Sequence, residues 1–384
     1  MRASILFLPA AVAFAACADG PLTTASSTLS LTRAEDAAHQ NAAVYWNGVA
    51  RGLVAKYSSG APAAIRGYAL VGVAQHNAAA NVQERSLHAA ISAASVVVLT
   101  YLYPTEQTAL ETQLQQYLAA AGPQAELQEG EAVGRATGNR VVAYAQTDRF
   151  FVPWTGTVPV GPGIWFSATP PVGANFGQAK VFFLQSTNQF RPAPHPAFNS
   201  PEFVAALAEV RQFSDMRTQA QDSIAKFWNM PAGTYQPPGY WTEEAGRLAI
   251  KYGLTERWAA RLFARTSMVG FDGIVASHEA KYTYWLLRPT MADPGIKLAI
   301  GLPNFPSYPS NHATISAAMA DILAHEFPSE RARLRALADE AALSRVFGGI
   351  HYRFDGTAGL TLGRKIAAWA LAHDVELREP IVLR

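Results

Sequence analysis

Twelve residues, Ser344-Arg345-Val346-Phe347-Gly348-Gly349-Ile350-His351-Tyr352-Arg353-Phe354-Asp355, place a cation, an imidazole and a carboxylate within reach of one another. The glycine pair can end the helix that carries Arg345 and turn the backbone sharply, so that Arg345 and His351 face one point from two segments. With a new helix beginning around Phe354 and Asp355, the carboxylate lies one turn beyond His351. There it can accept the Nδ1 proton, leaving Nε2 as a neutral lone-pair donor. The same string also reads as a helix C-cap followed by a buried histidine and a surface aspartate.

Two further groups would supply partners. Over Thr255 to Leu287 the pattern predicts one helix, on which Phe271, Ile274, His278, Lys281, Trp285 and Arg288 step by three or four residues onto one face. Pro289 disfavours helical geometry at Arg288, so the guanidinium is presented at the helix end. Such a face either addresses an anion or carries two snorkelling cations whose stems pack on a core. In Phe305-Pro306-Ser307-Tyr308-Pro309-Ser310-Asn311-His312, Ser310 reads as the N-cap of a helix with Ile315, Met319, Ile322 and Leu323 on its apolar face. The amides of Asn311 and His312, the Ser310 hydroxyl and the positive helix end would then converge on one oxyanion, with His312 at the rim to carry a proton. The alternative is a plain cap with an exposed His312.

The elements that must position these groups are helical. Of 384 residues 49% are hydrophobic and 16% charged, enough for one large core or two fused bundles, and the net charge of +2 with no Lys/Arg run argues against a nucleic-acid surface. Residues 1–17 read as an export signal: Arg2, the apolar run Ile5 to Ala16, and Cys17 in the position of a lipidated first residue, or else an ordinary secretory peptide. Residues 18–32 read as a flexible tether. An N-terminal helical bundle is predicted over 33–148, with segments at Ala63 to Ala80, Ser86 to Tyr103, Glu106 to Ala121 and Gln124 to Ala145. Ser86 to Tyr103, with its Val96-Val97-Val98-Leu99 run, is expected to be buried on several faces and too Ser/Thr-flecked for a membrane span. Gln75, His76 and His88 are read as packing residues. Residues 149–200, rich in Pro and Gly, form an irregular crossover that helps wall the pocket. A second bundle occupies 201–378, with helices expected at Pro201 to Phe213, Thr218 to Met230 and, after a break at Pro237-Pro238-Gly239, Thr242 to Tyr252. The fold class is all-α, with the site in the second bundle. The lone cysteine excludes internal disulfides.

Lys281-x6-Arg288-Pro289, Pro309-Ser310-x-His312 and Ser344-Arg345-x5-His351-x3-Asp355 resemble, in the same order, the three-part signature shared by vanadium-dependent haloperoxidases and type 2 phosphatidic acid phosphatases. The Pro/Trp-rich middle and helical first half are similar to the soluble bacterial haloperoxidase-like members. This resemblance implies vanadate as cofactor, with phosphate able to occupy the same site. Lys281, Arg288 and Arg345 would neutralise its oxygens and Ser310 and Asn311 would add hydrogen bonds. His351 would be the metal ligand, oriented by Asp355, while His312 moves protons and Lys281 polarises peroxide. The implied partners are hydrogen peroxide, a halide and a small organic acceptor; for an acid phosphatase, a phosphomonoester cleaved through a phosphohistidine. The family's usual Gly is Asn311 here, which leaves a catalytically impaired oxyanion-binding protein as a third reading. His278, one turn before Lys281, and Phe305 are expected to line the pocket, His278 either tuning access or packing.

Overall fold

The computed structural model describes residues 41–119, 124–373 and positions 381 and 383. The export signal and tether expected over 1–32 lie outside the described residues. The helices are α1 (Ala42–Lys56), α2 (Ala61–Ala80), α3 (Glu84–Leu102), α4 (Gln107–Ala119), α5 (Gln124–Ala145), α6 (Pro201–Met216), α7 (Gln219–Asn229), α8 (Gln236–Lys251), α9 (Glu256–Tyr284), α10 (Pro289–Ala292), α11 (Asn311–Glu326), α12 (Arg331–Phe347) and α13 (Arg353–His373). Among the described residues there is no strand, only an isolated bridge between Ile164 and Leu286.

α9 is the axis. Thr255 caps it by accepting the Trp258 amide, Glu256 favours the first turn, and α9 packs against α2 on one side and against α11 and α13 on the other. The helix stops three residues earlier than its apolar period predicts. Trp285 takes the left-handed conformation (φ 53°) and returns its amide to the Lys281 carbonyl. Leu286 and Leu287 then pair with the crossover: the Trp165 amide donates to the Trp285 carbonyl and the Leu287 amide to the Gly163 carbonyl. Arg288 is therefore extended, not on the helical face that its spacing suggested.

One apolar cluster runs from Trp46, Tyr68 and Val98 in the first bundle to Phe263, Ile315 and Leu334 in the second, so the two bundles share a core. α3 is long and apolar enough to cross a membrane by composition, yet most of it is buried against α2 and α5. The Pro237-Pro238-Gly239 break lies inside α8: proline is tolerated in a first turn, where no amide donor is needed. Pro201 behaves the same way after its cap Ser200.

The crossover is pinned to α9 by Asp272. Its fully buried carboxylate accepts the amides of Phe182, Phe183 and Leu184 at 2.7, 2.8 and 3.1 Å. Burial raises this carboxyl to about 6, with the three amides pulling the other way. The substitution Asp272→Ala would strand those donors and should cost about 3 kcal/mol of unfolding free energy in urea titration, with faster hydrogen exchange at residues 182–184. Exchange unchanged at those amides would refute the pinning role.

Candidate active site

The Gly348-Gly349 turn does what its composition suggests. α12 ends at Phe347, the Gly348 amide returns to the Ser344 carbonyl, and Gly349 (φ 81°) reverses the chain at little cost. His351 is thereby buried just ahead of α13, and its Nδ1 lies 2.7 Å from Oδ2 of Asp355. The same oxygen accepts the Ser307 hydroxyl at 2.5 Å and the Tyr352 amide at 3.2 Å. With a carboxylate as acceptor, Nδ1 carries the proton and Nε2 keeps its lone pair. Nη1 of Arg288 donates to that lone pair at 3.0 Å and to the Ile350 carbonyl at 2.8 Å.

Arg288 and Arg345 are buried, and among the described residues neither guanidinium forms a salt bridge with a carboxylate. Arg288 spends Nε on the Phe305 carbonyl at 2.9 Å, but its Nη2, and Nε and Nη1 of Arg345, meet no hydrogen-bond partner among the described residues. Burial lowers Arg288 to about 10 and Arg345 to about 9, the second also through repulsion from Arg288. Two neighbouring cations with orphaned donors in a desolvated site form an anion receptor, because only an anion satisfies both charge and hydrogen bonds.

The Lys281 ammonium donates to the carbonyls of Pro306, Ser307 and Pro309 at 2.9, 2.7 and 2.5 Å, which ties the end of α9 to the loop leading into α11. Desolvation, then repulsion from Arg288, holds it well below the usual lysine value. The Phe305 ring lies 5.2 Å from this Nζ and 5.0 Å from the Arg288 guanidinium carbon, a π face offered to both cations.

Ser310 caps α11, its hydroxyl accepting the Ala313 amide at 3.4 Å, and its own amide donates to the Asp355 carbonyl at 3.0 Å. Gly359 permits this contact between α11 and α13, since a Cβ there would lie 2.6 Å from the Ser310 carbonyl oxygen. His312 places Nε2 2.9 Å from the Trp228 carbonyl of α7, so that atom donates and Nδ1 is left as the lone-pair nitrogen. Burial and the nearby Arg345 hold His312 well below an ordinary histidine; burial and Arg288 do the same to His351, which also feels His312. Both rings are neutral near pH 7.

His278 is fully buried. Nδ1 donates to the Ile274 carbonyl at 2.9 Å, and the ring stands edge-on to Phe176 and 5.7 Å from Phe305, with Nε2 unpartnered among the described residues. His88 pairs with Glu256, and Gln75 bonds Asn47 and Ser95, as packing residues would. Sequence reasoning assigned nothing to Ser307, the Trp228 carbonyl or Ser277, whose hydroxyl meets Oδ1 of Asn311 at 2.5 Å. Ser307 sits within the proline-rich run already singled out, but no spacing rule marks it; the other two are contacts across 34 and 84 positions. A separate groove of about 730 Å³ is lined by residues of the 190–196 stretch, α6, α13 and Tyr308.

Residues 262–377 match the PAP2 superfamily. This stretch of the chain is a PAP2 superfamily domain. It contains Lys281, Arg288, Ser310, His312, Arg345, His351 and Asp355. The fold is shared with solved structures: the first bacterial vanadium-dependent iodoperoxidase (TM-score 0.75, 21% identity, 85% of this chain and 94% of that one), and a bacterial vanadium-dependent chloroperoxidase in its holo form (0.70, 13%, 84% and 94%) and apo form (0.68, 14%, 83% and 94%). No curated protein matches. The PAP2 domain thus begins inside α9, and the first bundle and crossover pack around it.

Burial holds the His278 ring near 3, so below its ordinary value of 6.5 the unfolded chain takes up a proton that the fold refuses. That share of stability is present at neutral pH and declines as pH falls. His278→Phe should flatten the pH dependence of unfolding by one proton, about 1.4 kcal/mol per pH unit between about pH 6 and 4. Urea midpoints compared at stepped pH measure the difference, and parallel curves for the two proteins would contradict it.

Proposed function

We propose that the protein is a vanadium-dependent haloperoxidase-like enzyme that uses hydrogen peroxide to oxidise halide, with a small organic acceptor taking the product. The observation that carries this reading is the set of orphaned guanidinium donors of Arg288 and Arg345 beside the Nε2 lone pair of His351. The donor set fits vanadate, since cations and helix-terminal donors match a tetrahedral oxyanion and one neutral imidazole matches its metal. His351 would hold the metal through Nε2. Arg288, Arg345, Ser310 and the Asn311 amide would hold the oxygens. Vanadate, when bound, supplies a Lewis-acidic centre that activates peroxide toward halide. Asp355 and Ser307 keep the His351 tautomer and ring orientation, and His312, neutral and anchored on Trp228, offers Nδ1 to accept or return a proton. Lys281 holds the carbonyls of Pro306, Ser307 and Pro309 and would add its positive charge beside the oxygens and the peroxide. Arg2, the apolar run Ile5 to Ala16 and Cys17 support the reading of an exported enzyme.

The PAP2 match favours a second reading with the same atoms. As an acid phosphatase, His351 Nε2 would attack phosphorus while the P–O bond to the leaving group breaks; at acid pH the leaving oxygen would take its proton from His312, and water would then cleave the phosphohistidine.

Assay of the purified protein with iodide, bromide or chloride plus peroxide, with and without added vanadate, and of the vanadate-free protein with an aromatic phosphate, separates the two. Vanadate-dependent halide oxidation is expected, and His351→Ala should lower it at least about a thousandfold. Phosphate-ester hydrolysis with no halide oxidation would overturn the peroxidase reading, and full activity in His351→Ala would overturn the site.

A further inference from the structure

The chain carries no Asp, Glu, Lys, Arg or His from 150 to 179 or from 298 to 311, although 16% of its residues are charged. The fold joins these two stretches beside the receptor. The Val172 amide donates to the Asn304 carbonyl at 2.9 Å, and the Asn304 side-chain amide returns to the Thr169 hydroxyl and the Pro170 carbonyl at 3.0 and 2.9 Å. The Tyr282 hydroxyl holds the Val172 carbonyl at 2.5 Å, and Gly173 lets the backbone lie on α9, where a Cβ would come within 2.9 Å of the His278 ring. The surface so formed begins one residue from Phe305, the half-buried ring that meets both Lys281 and Arg288. On it Phe166 and Val172 are 64% and 50% exposed, and Leu302, two residues before Asn304, is exposed as well. Apolar side chains gathered on an uncharged surface mark a binding face. A membrane would call for Lys or Arg among them to meet anionic headgroups, and these stretches hold none. A neutral apolar molecule needs no counter-charge and gains by covering them.

We propose that this uncharged apron, centred on Phe166, Val172 and Leu302, docks a neutral, apolar, electron-rich aromatic ring as the organic acceptor and holds it beside the receptor. This deepens, and rests on, the halide-oxidation reading. In the step it serves, a ring carbon forms a bond to the halogen of hypohalous acid while the halogen–oxygen bond breaks; the departing hydroxide takes up the proton that the ring loses and becomes water. Peroxide and halide supply the hypohalous acid, so no further oxidant is required. The two substrates are then sorted by different forces, the halide by the cations and the acceptor by apolar contact on a face that offers the halide no competing charge.

Isothermal titration of the full chain, without vanadate, peroxide or halide, with para-propylphenol and its polar isostere tyrosol tests the docking. The propylphenol should bind about tenfold tighter, and lengthening it to para-butylphenol should gain about twofold, less than the roughly fourfold of a fully buried methylene. The surface double variant Phe166→Ser/Val172→Ser should bind the propylphenol about tenfold more weakly. Trp258→Ser, which alters an exposed aromatic near the other end of α9, should change nothing. With vanadate, peroxide and iodide, the double variant should form triiodide as fast as the unaltered protein when no acceptor is present, while its KM for para-propylphenol rises about tenfold. Equal affinity for the two phenols, or no loss in the double variant, overturns the apron, and triiodide formation in the same samples then leaves the halide-oxidation reading standing. Binding as expected without triiodide formation by the unaltered protein overturns that reading and, with it, the acceptor's role. A dimer in analytical ultracentrifugation that the double variant splits into monomers would place a second copy of the chain on this face, which also overturns the proposal.

Discussion

The site is built on one ammonium group held by three carbonyls. Lys281 draws the oxygens of Pro306, Ser307 and Pro309 to the end of α9, and this sets the path of the loop leading into α11. From that path follow the Phe305 carbonyl on Arg288, the Ser307 hydroxyl on Asp355 and the Ser310 amide on the carbonyl of Asp355. A buried lysine is costly unless its hydrogens are satisfied, and here they are. The cation serves as a local anchor, so Arg288 and Arg345 carry the unpaired donors.

Those two guanidiniums explain the remaining electrostatics. Burial, reinforced by their field, keeps His312 and His351 neutral, and the Asp355 carboxyl, raised to about 6 by burial, hydrogen-bonds His351. Lys281 and Arg288 are each anchored at backbone carbonyls, and the Phe305 ring lies 5.2 Å from the first and 5.0 Å from the second. The Asp355 carboxylate offsets part of the charge on Lys281 and Arg288, and the excess that remains makes the cluster an anion receptor.

The shared core gives the receptor its rigidity. α9 carries Ser277, His278 and Lys281 and is covered by α2 from the first bundle, by α11 and α13 from the second, and by the crossover through Asp272. A site this dependent on 3 Å contacts requires such clamping, since a small shift of α9 would release the loop carbonyls.

Sequence alone determined what local periodicity governs. The Ser310 cap, the Gly348-Gly349 turn and the one-turn offset between His351 and Asp355 each depend on neighbours within a few positions, and backbone geometry leaves them little choice. The PAP2 signature was legible for the same reason. Tertiary structure decided the allegiances: Lys281 to the loop carbonyls, Arg288 off the helix because Leu286 pairs with Ile164, His312 to the Trp228 carbonyl, and Asn311 to Ser277. A donor takes whichever acceptor the packed fold brings within about 3 Å. For partners tens of residues apart, no spacing in the chain encodes that distance.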